Sequence, residues 1–183
     1  NEVYPYVDEQ INLLVRDIHA GISEFLPELL ADAAWTTEAV DLQAWYKDWC
    51  QARYGSASEN MLAAWDKFHS TVYSSLYSYP RYRWQTVTFD KRRKSRHDIN
   101  DEFGEGVKLF LSCREECADS PLYVADAIEF ASFWLAHVAD LHWLVALDAI
   151  EKGDMTLGKE KLDKTVELLT AVDRLLASHP ERN

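Results

Sequence analysis

Apolar residues along this chain recur at the three-and-four spacing of helix faces, and no run of alternating residues is flanked by hairpin turns. The spacing predicts a first helix from about Tyr6 to Phe25, with Ile11, Leu14, Val15 and Ile18 on one face, and Pro27 opens a further turn or two. A second helix begins behind Asp41, whose carboxylate suits the free amides of a first turn, and carries Leu42, Trp45 and Trp49 at i, i+3 and i+7. It ends at Arg53-Tyr54-Gly55, where glycine suits the left-handed residue that closes a helix. Ser56 to Glu59 reads as a capping box for a third helix with Met61, Trp65, Phe68 and Val72 as its buried stripe.

Tyr79-Pro80 to Arg96 is the one long irregular stretch, although Trp84 to Phe89 is β-branched and aromatic enough to pair locally. A fourth helix is expected from Asp98 or Asn100 to Ala118, interrupted by Gly104 and Gly106, each weakening it by about 1 kcal/mol relative to alanine. Ser120-Pro121 then starts the strongest helix, with serine as its cap and proline in its first turn, and the helix runs to Lys152 before Gly153 stops it. A last helix, Leu157 to Ser178, buries Leu162, Val166, Leu169, Val172 and Leu176. No segment repeats and no linker divides the chain. The expected architecture is one all-α domain over residues 1–183, an irregular bundle of five or six helices with one long central helix.

Composition sharpens this picture. Seven Trp, nine Tyr and seven Phe in 183 residues supply a substantial core. No apolar run approaches the roughly 20 residues that span a bilayer, and no signal-peptide pattern opens the chain, so no membrane partner is expected. A start at Asn1 without methionine reads as a piece of something longer. Cys50, Cys113 and Cys117 form an odd set without a C-x-x-C pair, which argues against a disulfide framework and a structural zinc site; buried thiols are the expectation.

The net charge of −12 disfavours nucleic acid as a general partner, because phosphate contacts need positive surface. That average hides a polarity. Between Arg81 and Arg96 seven basic residues face the single acid Asp90, giving this segment +6 and leaving −18 elsewhere. Tyr79, Arg81, Tyr82, Arg83 and Trp84 alternate rings with guanidinium groups, a composition suited to stacking on sugar faces and pairing with anions. The competing reading is a surface loop folded back on the chain's own acidic helices.

On the long helix, Ile128, Ala131, Leu135, Val138, His142 and Val145 share one side, which makes His142 a core histidine in expectation. Asp126, Glu129, His137, Asp140, Asp148 and Glu151 line the other, as a solvated face or an interface to the basic loop. A di-metal carboxylate site needs Glu-x-x-His pairs that the chain lacks, and Glu129 and His137 lie about 12 Å apart along the axis. No nucleophile elbow and no phosphate loop is present, and no cofactor is expected. Arg53 ends a helix, where it is favoured by the dipole and suited to clamp a carboxylate, while Tyr54 packs its ring and bonds its hydroxyl.

Asp41-Leu42-Gln43-Ala44-Trp45, Arg53-Tyr54-Gly55, Ala64-Trp65 and Thr71-Val72-Tyr73, in that order, resemble the helical C-terminal domain of the α-N-acetylglucosaminidases, glycoside hydrolase family 89. In that family a "D-L-x-x-W" helix ends in "R-Y-G" and is followed by "A-W" and "T/S-V-Y". Leu122 to Glu129 is similar to the family's "Y-D-L-V-D" helix opening, Ala146 to Asp154 to its "A-x-x-x-x-D" exit, and Leu168 to Leu176 to its closing leucine run. Where the family continues with "T-R-Q", this chain has Ala131-Ser132-Phe133.

The resemblance implies a retaining glycosidase that removes terminal α-linked N-acetylglucosamine, with both catalytic carboxylates on a preceding (β/α)8 barrel. This chain is then expected to carry no catalytic residue itself, to pack on the barrel, and to line the pocket of a glycan bearing terminal N-acetylglucosamine. Tyr73, Arg81, Arg83 and Trp84 are the expected substrate contacts, and Trp45 and Trp65 the expected barrel contacts. A secreted, periplasmic or lysosomal parent protein fits such an activity. The alternative is a free-standing helical interaction module whose basic segment binds an acidic partner.

Overall fold

The computed structural model describes residues 25–35, 40–72, 82 and 99–179, and every regular element among them is helical. They are α1 (Phe25–Ala33), α2 (Leu42–Tyr54), α3 (Glu59–Ser70), α4 (Asp101–Ser112), α5 (Pro121–Glu151) and α6 (Met155–Ala177). A single 3-10 turn, Cys113–Glu115, follows α4. The helix expected over Tyr6 to Phe25, apart from its last residue, and the local pairing expected over Trp84 to Phe89 lie outside the described residues.

Helix ends form where the sequence supplies acceptors and left-handed residues. Asp41 accepts from the amides of Gln43 and Ala44, and Gly55 closes α2 at φ 79°. The cap of α3 is Ser58, which accepts from the Met61 amide; the box expected at Ser56 begins two residues early. Asn100 caps α4, Ser120 caps α5 with Pro121 in the first turn, and Asp154 caps α6. The last helix therefore starts at Met155 rather than Leu157.

Between α2, α3, α4 and the first third of α5 lies an aromatic core. Trp65, Tyr54, Phe68, Phe103, Phe110 and Phe130 are enclosed, and Met61, Trp65, Phe68 and Val72 form the buried stripe that the spacing of α3 predicts. Most rings meet edge to face or tilted, as their quadrupoles favour, such as Trp49 on Trp65 at 4.7 Å and Phe68 on Phe130 at 4.3 Å, while Phe110 stacks on Tyr123. Gly104 and Gly106 do not interrupt α4. A Cβ on Gly104 would lie 2.6 Å from the Trp134 indole, and one on Gly106 2.8 Å from the Phe68 ring. These glycines let α4 approach its neighbours closely, which outweighs their poor helix propensity.

From α5 the chain folds back as an antiparallel helical hairpin. Gly158 approaches Ile150 and the Ala146 carbonyl, and Thr165 donates to the Ala139 carbonyl at 3.4 Å, so small residues form this seam. Thr165 is the enclosed residue in mid-helix, while Val166, expected inside, is 63% exposed. Two further expectations change here. Asp126 and Asp140 are buried rather than solvated, and His142 is half-buried rather than enclosed. Charged residues break the apolar runs of α5, yet by length and composition alone it is long and apolar enough to cross a bilayer.

An alanine in a helix interior ordinarily gains about 1 kcal/mol over glycine. Gly104→Ala is instead expected to destabilise the fold by about 1–3 kcal/mol through overpacking against Trp134. The urea midpoint reads this, and an unchanged or raised midpoint would show that the indole gives way freely.

Candidate functional site

The described residues converge on the last turn of α2. Gly55 leaves the helix in the left-handed region, which ends α2 with Arg53 and Tyr54 side by side above the first turns of α5. Arg53 meets Asp126 side-on, Nε to Oδ2 at 2.9 Å and Nη2 to Oδ1 at 3.2 Å, with both side chains over nine-tenths buried. Tyr54 donates its hydroxyl to the same Oδ2 at 2.6 Å. Two oxygens thus receive three directed bonds, the pairing a buried carboxylate requires.

On its other side Arg53 faces α1. Its Nη1 lies 3.5 Å from Glu28 Oε1, and the Trp49 indole N–H donates to the other oxygen of Glu28. The guanidinium sits 5.3 Å from the Trp49 ring centre, Trp45 stacks on Trp49 at 5.7 Å, and the Trp45 indole donates to Asp32 at 2.8 Å. Carboxylates four residues apart on α1 therefore hold indoles four residues apart on α2. Ser120 closes the network: its hydroxyl donates to the Arg53 carbonyl at 3.0 Å while accepting from the Tyr123 amide.

This arrangement positions helices; it offers no reactive group. Both Asp126 oxygens are engaged, and burial followed by the Asp126 charge pushes the Tyr54 hydroxyl well above its ordinary range. Cys50, Cys113 and Cys117 are free, buried thiols. Burial, then the neighbouring thiols, raises Cys50 from 9.0 to about 12, and burial with Glu116 raises Cys117 to about 11. They remain protonated and unreactive at neutral pH.

Tyr73, Arg81, Arg83 and Trp84, the expected substrate contacts, lie outside the described residues. Tyr82, between those arginines, is 5% exposed, and its hydroxyl donates to the Phe133 carbonyl of α5 at 3.0 Å. Trp45 is half-buried, whereas Trp65 is wholly enclosed in this chain's own core and has no surface for another domain. Sequence reasoning foresaw the structural roles of Arg53 and Tyr54 but missed their partner, because Asp126 shares a helix side with other acids that the spacing does not tell apart.

The family model that matches this helical bundle sets its class, the helical domain of a glycoside hydrolase. Within that class the chain belongs to the alpha-N-acetylglucosaminidase (NAGLU) C-terminal domain family, whose model matches residues 45–183. Its fold is similar to a family 89 glycoside hydrolase from Clostridium perfringens in complex with 2-acetamido-1,2-dideoxynojirmycin, at 24% identity and a TM-score of 0.74. The same values hold for a doubly substituted form from that organism in complex with its substrate GlcNAc-alpha-1,4-galactose. A complex with PUGNAc gives 23% and 0.70. Each match covers 87% of this chain but 19% of the other, so the chain spans about a fifth of the length of these structures. No curated protein matches the chain.

Two outcomes follow from the hub. Asp126→Ala leaves Arg53 buried beside a void and is expected to cost about 3–5 kcal/mol, read as a fall in the urea midpoint. A cost below about 1 kcal/mol would reduce the pair to an incidental contact.

Tyr54 and the thiols keep their protons to higher pH when folded than when unfolded, so their contribution is complete below about pH 9 and declines as pH rises beyond it. Midpoints should fall as pH is raised above about 9, and Tyr54→Phe should make the decline above about pH 10 shallower.

Proposed function

We propose that this chain is the C-terminal part of a larger α-N-acetylglucosaminidase-like glycosidase, packing on a (β/α)8 catalytic barrel and closing one side of its substrate pocket. The observation that carries this reading is membership of the C-terminal domain family over residues 45–183. The substrate printed for one similar structure, GlcNAc-alpha-1,4-galactose, points to a glycan ending in α-linked N-acetylglucosamine.

In this reading the chain supplies no catalytic carboxylate. A retaining pair must stand about 5 Å apart across a cleft, and the carboxylate at the hub of this domain is committed to Arg53 and Tyr54. The barrel performs the chemistry. The helical domain contributes orientation of the sugar and exclusion of water, effects that act on the geometry and dielectric of a site rather than on bond making.

Tyr73, Arg81, Arg83 and Trp84 are the proposed glycan contacts. Aromatic faces stack on the apolar side of a pyranose, and guanidinium groups bond ring hydroxyls or acidic substituents. The assignment rests on side-chain type alone, while Tyr82, between the two arginines in sequence, is turned inward onto α5.

In the polypeptide that carries the barrel, Arg83→Ala or Trp84→Ala is expected to lower kcat/KM by about tenfold or more, one lost contact being worth about 1.4 kcal/mol. The melting temperature should shift by no more than a few degrees. Equal damage to activity and melting temperature would make these side chains structural, and hydrolysis by the 183 residues alone would overturn the division of labour.

A further inference from the structure

Trp35 is the most exposed large apolar side chain among the described residues, at 91%, although folding ordinarily covers most of a tryptophan. It stands one turn beyond Asp32 at the end of α1, its amide donating to the Asp32 carbonyl at 3.3 Å. Asp32 is itself oriented, because the Trp45 indole of α2 donates to its Oδ2 at 2.8 Å. Its Oδ1 takes no bond among the described residues and faces solvent. An uncovered indole thus adjoins a fixed carboxylate oxygen.

The opposite edge of α2 repeats this construction. Residues of a helix turn by about 100° each, so Ala44 lies at the centre of the outward face of α2, with Trp45 on one edge and Gln43 on the other. Gln43 donates its amide to Asp66 Oδ1 of α3 at 3.5 Å, and the buried Tyr46 hydroxyl meets His69 Nδ1 at 3.0 Å. Asp66 and His69 are exposed and, three residues apart on α3, share a side. Each is held at one atom and offers its second, Oδ2 or Nε2, outward. Between the two edges Ala44 presents only an exposed methyl group, a low floor.

We propose that this strip across the first turn of α2 binds a neutral glycan, with one pyranose stacked on Trp35 and the next laid over Ala44 toward Asp66 and His69. The C–H face of a pyranose suits an indole. Sugar hydroxyls donate to Asp32 Oδ1 and Asp66 Oδ2, and meet His69 Nε2 in either tautomer of the ring. A metal cation would want its oxygen ligands gathered at one point, whereas these carboxylates stand on opposite edges of α2. Because each polar group is already tied at its other atom, little rotamer freedom is lost on binding. The site uses neither a barrel nor the contacts proposed at Tyr73, Arg81, Arg83 and Trp84, so its test does not depend on a catalytic domain.

Nuclear magnetic resonance of the nitrogen-labelled 183-residue chain, titrated with lactose and with chitobiose, reads the Trp35 indole N–H and the Ala44 and His69 amides. A dissociation constant of about 1–10 mM is expected for at least one of them, the weak range of one stacked ring with a few hydroxyl bonds. Trp35→Ala should weaken binding about tenfold or more and Asp66→Ala about threefold, while Trp35→Phe, which keeps a ring, retains most of it. Melting temperatures of these variants should match the parent, as both side chains lie outside the core. No shift in the parent at about 50 mM of either disaccharide would overturn the proposal. Binding that survives Trp35→Ala would remove the platform on which it stands, and binding unchanged in Asp66→Ala would refute the crossing of α2. Tetramethylammonium that moves the Trp35 signal while both sugars stay silent, an effect lost at about 0.5 M salt, would assign the indole to a cation and overturn it as well.

Discussion

A carboxylate enclosed in an aromatic bundle is tolerable only if its charge is met on every side, and Asp126 imposes that demand on the whole N-terminal half of the described fold. Its two oxygens require Arg53 and Tyr54 together, and adjacent residues on a helix point about 100° apart. Only the final turn of α2, released by Gly55, brings both side chains to one carboxylate. Arg53 in turn is enclosed, so its outward edge needs Glu28 and the face of Trp49. One buried charge thereby dictates where α1, α2 and α5 sit, and the large rings around Trp65 pack within that frame. Such a pair contributes more to uniqueness than to net stability, because desolvation offsets most of its Coulombic gain.

Much of the architecture was legible because it rests on local rules. Asp41, Gly55, Asn100, Ser120 and Pro121 act through their own backbone neighbourhoods, and the stripe from Met61 to Val72 follows from helical spacing alone. What escaped depends on a third dimension. Gly104 and Gly106 look like defects until Trp134 and Phe68 are seen filling the space their side chains would take. Thr165 faces inward and Val166 outward because the seam with α5 selects small residues, a preference that hydrophobicity cannot express. Trp65 shows the same limit: a large aromatic residue reads equally well as an interface anchor or a core residue, and only packing decides.

The candidate site was legible in kind rather than in placement. An arginine at a helix end announces a carboxylate partner, but six acidic or histidine residues on one side of α5 gave no ground for choosing among them. Asp126 wins because it stands in the second turn of α5, which Ser120 fixes beside the end of α2. Tyr82 was read with its neighbours as part of an alternating surface, since a phenol between two arginines carries no sequence mark of burial. Its hydroxyl bond to the Phe133 carbonyl places Tyr82 itself against the middle of α5.

Ser120 links two helix ends through a single oxygen, receiving the first-turn amide of α5 while giving its proton to the closing carbonyl of α2. Neither terminus can fray without releasing the other. The Arg-Tyr-Gly turn, 67 residues away in sequence, is thereby pinned to the start of the long helix rather than left as a loop.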